Sequence, residues 1–513
     1  MPHYGIWCAE MTKKANYAAA YHLDTSYRRN KISGHVMDWQ NQPNPIKPYE
    51  NPACIPLEKQ VKLPDHLFHE IISGRAVIRS DKAKMDLTAL SALMALSYTF
   101  TAQTRQMGKP FFYRNAASAG ALYPCEIYVG SHMDGPLERG IYHYNIFDFL
   151  LETIRQEDVG QWVAEDKTGK EGPIPVISLF ITSVFFRSSW KYRSRAYRYV
   201  LLDTGHLMAN MMWALTSMGI DGHATLDFDD NAMGLLLGLD PEKEVCLGLI
   251  NLCDDHRKTG SKTDRPGSKP SYLGADIIKA STVSKKEVRY QQILSMHNAG
   301  NDIRPFNPDN SRSVDIPVKT WFHVNPEQKL KTEKYTDVLW KRRSKRNYVP
   351  IAFSKPSFMA LLSLLCDQFT GKMEKKFSDT ITVGMLINNV HGISPGFYCL
   401  DPQKRKYGLV FKARLGNQMA AACLDQMWLG NAAVHFLFLA DLEAVAHQYG
   451  PRGYRYAMIQ AGRLGQIIYL GATAVGAGAC GIGAIYDFEA ENLLDLDDET
   501  KLLYLVAAGP VKR

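Results

Sequence analysis

No CxxC pair occurs anywhere in the 513 residues, and the nine cysteines are scattered and odd in number. That pattern excludes a disulfide framework and a structural zinc site. The opening residues, MPHYGIWCAEMTKK, lack the charged-then-apolar pattern of a signal peptide, so a reducing cytoplasm is the expected setting. Only one stretch, 464–486, is both uncharged and long enough to raise the membrane question, and its Gly and Ala content is wrong for a span. Charge is not concentrated either. A net +8 spread over the chain suits an anionic cofactor or substrate but gives no nucleic-acid footprint. What is present is globular: 46% hydrophobic and 22% charged residues, in a chain too long for one ordinary domain.

The chain repeats itself at an offset of 257 residues, Lys191 falling on Gln448. KYRSRAYRYVLLDTGHLMANMMWALTSMGI (191–220) aligns with QYGPRGYRYAMIQAGRLGQIIYLGATAVGA (448–477), and the match continues to 252 and 509 without a gap. Tyr192, Arg195, Tyr197, Arg198, Tyr199 and Gly205 recur as Tyr449, Arg452, Tyr454, Arg455, Tyr456 and Gly462. In the first copy the counterpart of the uncharged stretch carries Asp221, His223 and Asp227, so neither copy is expected to span a membrane.

Helical spacing predicts a long buried helix over 197–218, and a helix pair at DLTALSALMALS (86–97) and KPSFMALLSLL (355–365). EVCLGLINL, KLLYLVAAG, CEIYVGSH (125–132) and TITVGMLI (380–387) read as strands, the last two followed by turns at GIYHY and GFYCL. The expected class is α+β, with helices around a sheet in each copy. The expected divisions are an irregular, proline-rich extension over 1–66, copy one over 67–253, a polar linker over 254–330 and copy two over 331–513. Within the linker, EVRYQQILSMH reads as helical.

Two segments carry chemistry. RRSKRNY (Arg342 to Tyr348) sets forked cations around a serine hydroxyl, which suits a phosphate; the same residues also suit a solvated helix start. In AASAGALYPCEIYV, Ser118, Ala119, Gly120 and Ala121 leave room for backbone amides to approach a flat ligand, or form an ordinary small-residue loop. GAGACG (476–481) matches GxGxxG formally, but a helix precedes it, the wrong order for a dinucleotide fingerprint. Gly481, Ile482 and Gly483 are expected instead in a loop that passes close to a planar group.

Together, RRSKR, ASAGALYPCEIYV, WKYRSRAYRYVLLDTGHL and LGLD (237–240) resemble the nitroreductase-like FMN flavoprotein superfamily, in particular its SagB/ThcOx-type dehydrogenases. YHLDTSYRRNKISGHVMDWQNQPNPIKPY (21–49) is similar to the N-terminal extension of tandem members. The resemblance implies FMN at a dimer interface, which two fused nitroreductase-fold copies would reproduce as an intramolecular pseudo-dimer. It implies phosphate contacts from Arg342 and Ser344 assisted by Arg343, Arg346 at the pyrimidine edge of the flavin, Ser118 to Ala121 along the ring, and Gly481 to Gly483 close to it.

The two copies have decayed in complementary ways. Ala76, Val77 and Ile78 stand where copy two has Ser344, Lys345 and Arg346, whereas copy two has EKKF (374–377) in place of SAGA, and ATLD (224–227) faces GIGA (481–484). One intact FMN site is the expectation. Lys191-Tyr192 resembles the Lys-Tyr pair of azoline-oxidising members; the ammonium would lower the phenol pKa and make it a base, or Tyr192 is simply a core aromatic. The implied activity is oxidation of azoline rings in a modified peptide, with a cyclodehydratase as a candidate partner. Two alternatives stay open: an NAD(P)H-dependent reductase of nitro or quinone compounds, and a non-catalytic docking subunit. No metal, nucleic acid or membrane partner is expected.

Overall fold

The computed structural model describes residues 17–512 except 33, 35, 75–84, 107, 133–136, 158, 165–173, 254–270, 302–313, 315, 325–332 and 370–378. Arg75 to Arg79, the segment 374–377 and much of the expected linker therefore lie outside the described residues. The chain forms two compact units, one drawn from 36–64 and 77–294, the other from 1–35, 65–76 and 295–513.

In the first unit the strands are β1 (Cys54–Pro56), β2 (Phe100–Gln106), β3 (Lys109–Arg114), β4 (Cys125–Ser131), β5 (Gly140–Asn145), β6 (Leu150–Arg155), β7 (Ile177–Val184), β8 (His223–Thr225) and β9 (Glu244–Leu252). Seven of them form an antiparallel sheet in the order β1-β6-β5-β4-β7-β9-β8, and β2 with β3 makes a separate hairpin. The second unit holds β10 (Thr320–His323), β11 (Thr382–Ile387), β12 (Gly396–Asp401), β13 (Lys406–Lys412), β14 (Val434–Asp441), β15 (Gly478–Ile482) and β16 (Thr500–Gly509). Their order, β10-β13-β12-β11-β14-β16-β15, is the first sheet strand for strand. The duplication read from the sequence is thus a duplication of fold.

Apolar runs make the central strands, as expected: every residue of β4 and β7 is buried, which needs cover on both faces of the sheet. The helices Leu87–Ser97 and Lys355–Gln368 begin where Asp86 and Ser354 accept hydrogen bonds from the Ala89 and Ser357 amides. The two long helices, Ala196–Ser217 and Gly453–Ala474, are buried along nearly their whole length. The uncharged stretch ends its helix at Ala474 and turns into β15. Among the described residues no helix is long and apolar enough to cross a membrane.

Three expectations need correction. GIYHY and GFYCL are strands, β5 and β12, not turns. Their leading glycines misled, because they serve close strand packing: a Cβ on Gly140 would meet the Arg155 carbonyl oxygen at 2.2 Å, and one on Gly396 the Phe411 carbonyl at 2.4 Å. Gly481 and Ile482 lie in a strand rather than a loop, paired with Val506 and Leu505 of β16. The extension is not wholly irregular, since 17–24 is helical and β1 pairs with β6. The helix expected inside the linker is present as Gln291–Ala299.

Candidate active site

In the first unit, β3 leads through Asn115 into the Ser-Ala-Gly turn, and β4 leaves it. The turn is tightly wound. Gly120, Ala121 and Tyr123 all take positive φ, of 64°, 52° and 47°, conformations that non-glycine residues adopt only when their surroundings hold them there. Asp203, on the helix Ala196–Ser217, supplies that hold. Its carboxylate accepts from the Ser118 hydroxyl at 2.5 Å and from the Ala119 amide at 3.1 Å. Ser118 Oγ in turn accepts from the Tyr123 amide at 2.9 Å. Burial pushes the Asp203 carboxyl up to about 7, against the two donors that favour its ionised form.

The helix Phe185–Tyr192 brings the second element. A Cβ built on Gly120 would meet Tyr192 Oη at 2.7 Å and Lys191 Nζ at 3.2 Å, so both functional atoms converge on the exposed Cα face of this glycine. Tyr192 packs its ring on Tyr199 at a centroid distance of 4.3 Å, and Lys191 Nζ lies 5.4 Å from the Tyr192 ring centroid. The helix ends abruptly at Arg193, whose φ of 50° breaks the backbone. That helix is braced from behind: Arg187 pairs with Glu126 of β4 at 2.5 Å and donates to the Asn44 carbonyl, while the Trp190 indole donates to the Asp38 carbonyl.

In the second unit the Arg-rich segment runs beside β15. Ser344 bridges to Ala479, and the Lys345 amide donates to the Ala479 carbonyl at 2.9 Å. Tyr469, from the helix Gly453–Ala474, ties the pieces together. Its hydroxyl lies 3.0 Å from Ser344 Oγ and accepts from the Gly481 amide at 2.6 Å. The buried Arg342 guanidinium sits 5.4 Å from the Tyr469 ring centroid. Arg346 lies over Trp428 at 5.9 Å and beside Cys480, whose thiol is raised by burial and drawn back by that cation. Arg343 donates from one guanidinium nitrogen to the carbonyls of Trp340 and Arg342.

Gly481 has a local reason to be glycine, because a Cβ there would meet Tyr504 Oη at 1.8 Å. Ile482 points into the core with Leu505 and Ala507, and Gly483 follows the strand. The structure thus groups Arg342, Ser344, Arg346 and Gly481 in one unit and Ser118 to Ala121 with Lys191 and Tyr192 in the other. The donors of the first group are cationic and hydroxylic, which fits the charge of a flavin phosphate.

Two residues were missed from sequence, Asp203 and Tyr469. A signal for both lies in the offset of 257: Asp203 stands against Gln460, and Tyr469 against Met212. Each supporting polar group exists only in the copy that retains the segment it supports.

Each unit carries the same seven-stranded antiparallel sheet with helices around it, an α+β fold in duplicate. The Nitroreductase family model matches residues 74–252 and 398–510, more than half of the chain, and the protein belongs to that family. A nitroreductase from Methanocaldococcus jannaschii is 30% identical over 175 residues, 33% of this chain and 88% of that protein. The trifolitoxin-processing protein TfxB of Rhizobium leguminosarum bv. trifolii is 29% identical over 31% of this chain, and the microcin B17-processing protein McbC of Escherichia coli 22% over a like share. The matches span 44% of TfxB and 59% of McbC. A crystal structure of a nitroreductase from Anabaena variabilis superposes on 97% of this chain and 99% of its own, with a TM-score of 0.77 at 24% identity, so the fold is shared over nearly the full length of both.

Proposed function

We propose that the protein is an FMN-dependent oxidoreductase that oxidises azoline rings in a modified peptide. The observation that carries this reading is the convergence of Tyr192 Oη and Lys191 Nζ on Gly120, in the copy that keeps the Ser-Ala-Gly turn. Copy two has Gln448-Tyr449 at the same positions, so the repeat itself does not require the cation. Likeness to TfxB and McbC, both peptide-processing proteins by name, supports a peptide substrate. A cyclodehydratase that forms the azoline is the partner such a substrate needs.

Bound FMN would supply a two-electron acceptor for hydride. Arg342 and Ser344 would hold its phosphate, and Arg346 would place positive charge where negative charge accumulates on reduction. Ser118 to Ala121 would present small side chains to the ring edge. Tyr192, as a phenolate stabilised by the Lys191 ammonium, would take the proton from the substrate C–H and become the neutral phenol.

The complementary losses between copies give a stoichiometric expectation: one non-covalent FMN per chain. Flavin released by denaturation, measured against protein, tests it; a ratio near two removes the single-site argument, and a colourless protein removes the flavin. Arg346→Ala should weaken FMN binding about ten- to a hundredfold through loss of a charge-assisted contact, and make the flavin harder to reduce. Unchanged affinity and potential would take Arg346 out of the site. Rapid mixing with NADH and NADPH separates the dehydrogenase from a nicotinamide-driven reductase, since only the latter bleaches the flavin fast.

A further inference from the structure

Ser118 Oγ stands between a donor and an acceptor whose roles depend on one proton. With Asp203 ionised, Ser118 donates its only proton to Asp203 Oδ2 and accepts from the Tyr123 amide. Its hydroxyl is then spent on the protein. With a proton on Oδ2, the same 2.5 Å contact reverses: Asp203 donates, Ser118 Oγ accepts twice, and the hydroxyl proton is free to turn outward. The Ala119 amide donates to Oδ1 in either state, so the turn itself need not move. Ser118 is half-buried and Gly120 exposed, so the proton can come from solvent through the turn.

We propose that Asp203 is a positioning residue with a protonation switch: gaining a proton, it releases the Ser118 hydroxyl as a donor toward the ligand bound at the Ser-Ala-Gly turn. The inference rests on the flavin reading above for the identity of that ligand. Burial sets the equilibrium near neutrality, pushing the carboxyl up to about 7. The surrounding groups leave the proton to Asp203. On β4, Cys125 is pushed up to about 12, with Asp203 adding to the effect of burial, so the thiol stays neutral. The Arg114 cation at the end of β3 acts on Cys125, Lys191 and Tyr192 face the turn across Gly120, and buried His206 lies one turn along the same helix. The position equivalent to Asp203 in copy two is Gln460, which cannot titrate; it accepts from Arg463 at 2.5 Å.

The test is FMN affinity of the full chain from about pH 5 to about pH 9, a range that brackets the transition. Wild-type affinity should rise about three- to tenfold at the acid end relative to the alkaline end, the worth of one hydrogen bond. Asp203→Asn presents a permanent amide donor to Ser118 and an acceptor to Ala119, so it should bind as the acid form does at every pH. Ser118→Ala should bind as the alkaline form does, likewise with no slope beyond that of the FMN phosphate itself, and it carries the test if Asp203→Asn does not fold. Titration of the FMN phosphate is common to all three proteins, so differences in slope report the switch. An Asp203→Asn protein with the wild-type slope overturns the proposal. Infrared difference spectra without flavin provide an independent readout: a protonated-carboxyl band that grows on acidification and is missing in Asp203→Asn. That band with no FMN binding supports the switch and sinks the flavin reading. FMN binding with no such band sinks the switch alone.

Discussion

Tyr192→Phe should lower turnover of an azoline peptide about a hundred- to ten-thousandfold, the usual contribution of a positioned base, with flavin content and thermal stability unchanged. The separation of chemistry from packing is unusually clean at this residue, because the duplication has run the control. Tyr192 packs on Tyr199 at 4.3 Å in copy one, and the equivalent Tyr449 packs on Tyr456 at 5.6 Å in copy two. The ring pair therefore belongs to the fold and survives a change to Phe. What copy one adds is a lysine beside the ring and a glycine facing the hydroxyl. Lys191→Ala should give a similar drop, and Tyr449→Phe almost none. The pH dependence is informative too: a phenolate base loses activity as pH falls, and Asp203 gains its proton in the same direction. Turnover in Asp203→Asn would then follow the base alone. Wild-type turnover in a fully flavin-loaded Tyr192→Phe protein would make the residue structural and place the base elsewhere.

The duplication was legible because both copies keep the apolar spacing of one fold, and strand order confirms it residue run by residue run. β9 and β16 lie where apolar runs placed them, and the long helix Ala196–Ser217 lies within a residue of its expected ends, 197 and 218. GIYHY and GFYCL were misread because a glycine before an aromatic run looks like a turn, whereas here the missing side chain admits a neighbouring carbonyl. The candidate site could be proposed from sequence where it is written in consecutive residues, as in Ser118 to Ala121 and Arg342 to Arg346. Its supports were not, because Asp203 and Tyr469 come from long helices, far along the chain from the segments they hold. A single buried polar residue on such a helix looks like any other satisfied core group until its partner is known. The extension hid more still. Its prolines suggested only irregular chain, yet Asn44 and Asp38 hold the helix that carries Lys191 and Tyr192.

That brace has its own anchor, and removing it should cost more stability than any change at the site. Lys47, from the extension, is fully buried against Glu244 of β9, with an N–O distance of 2.5 Å. Thr182 and Ser281 donate to the same carboxylate at 2.6 and 2.8 Å, Lys47 also meets the Tyr128 hydroxyl, and Tyr49 lies 2.8 Å from that hydroxyl. Burial, the largest single influence, would lower the Lys47 pKa, but the charge and hydrogen bond of Glu244 together with those of Tyr49 outweigh it and the pKa is raised. The pair's contribution from Lys47 is therefore complete below the ordinary lysine range and is lost only as pH rises through the raised value. Lys47→Met keeps the volume and strands the Glu244 charge, at a cost of about 3–5 kcal/mol in urea unfolding at neutral pH. Adding Glu244→Gln removes the stranded charge and should restore most of that loss, a coupling that independent sites would not show. The single variant should also lose turnover out of proportion to flavin, because the helix bearing Tyr192 is held by this extension. A Lys47→Met protein with wild-type stability, or one that Glu244→Gln fails to rescue, would show that the extension is held by its backbone contacts instead.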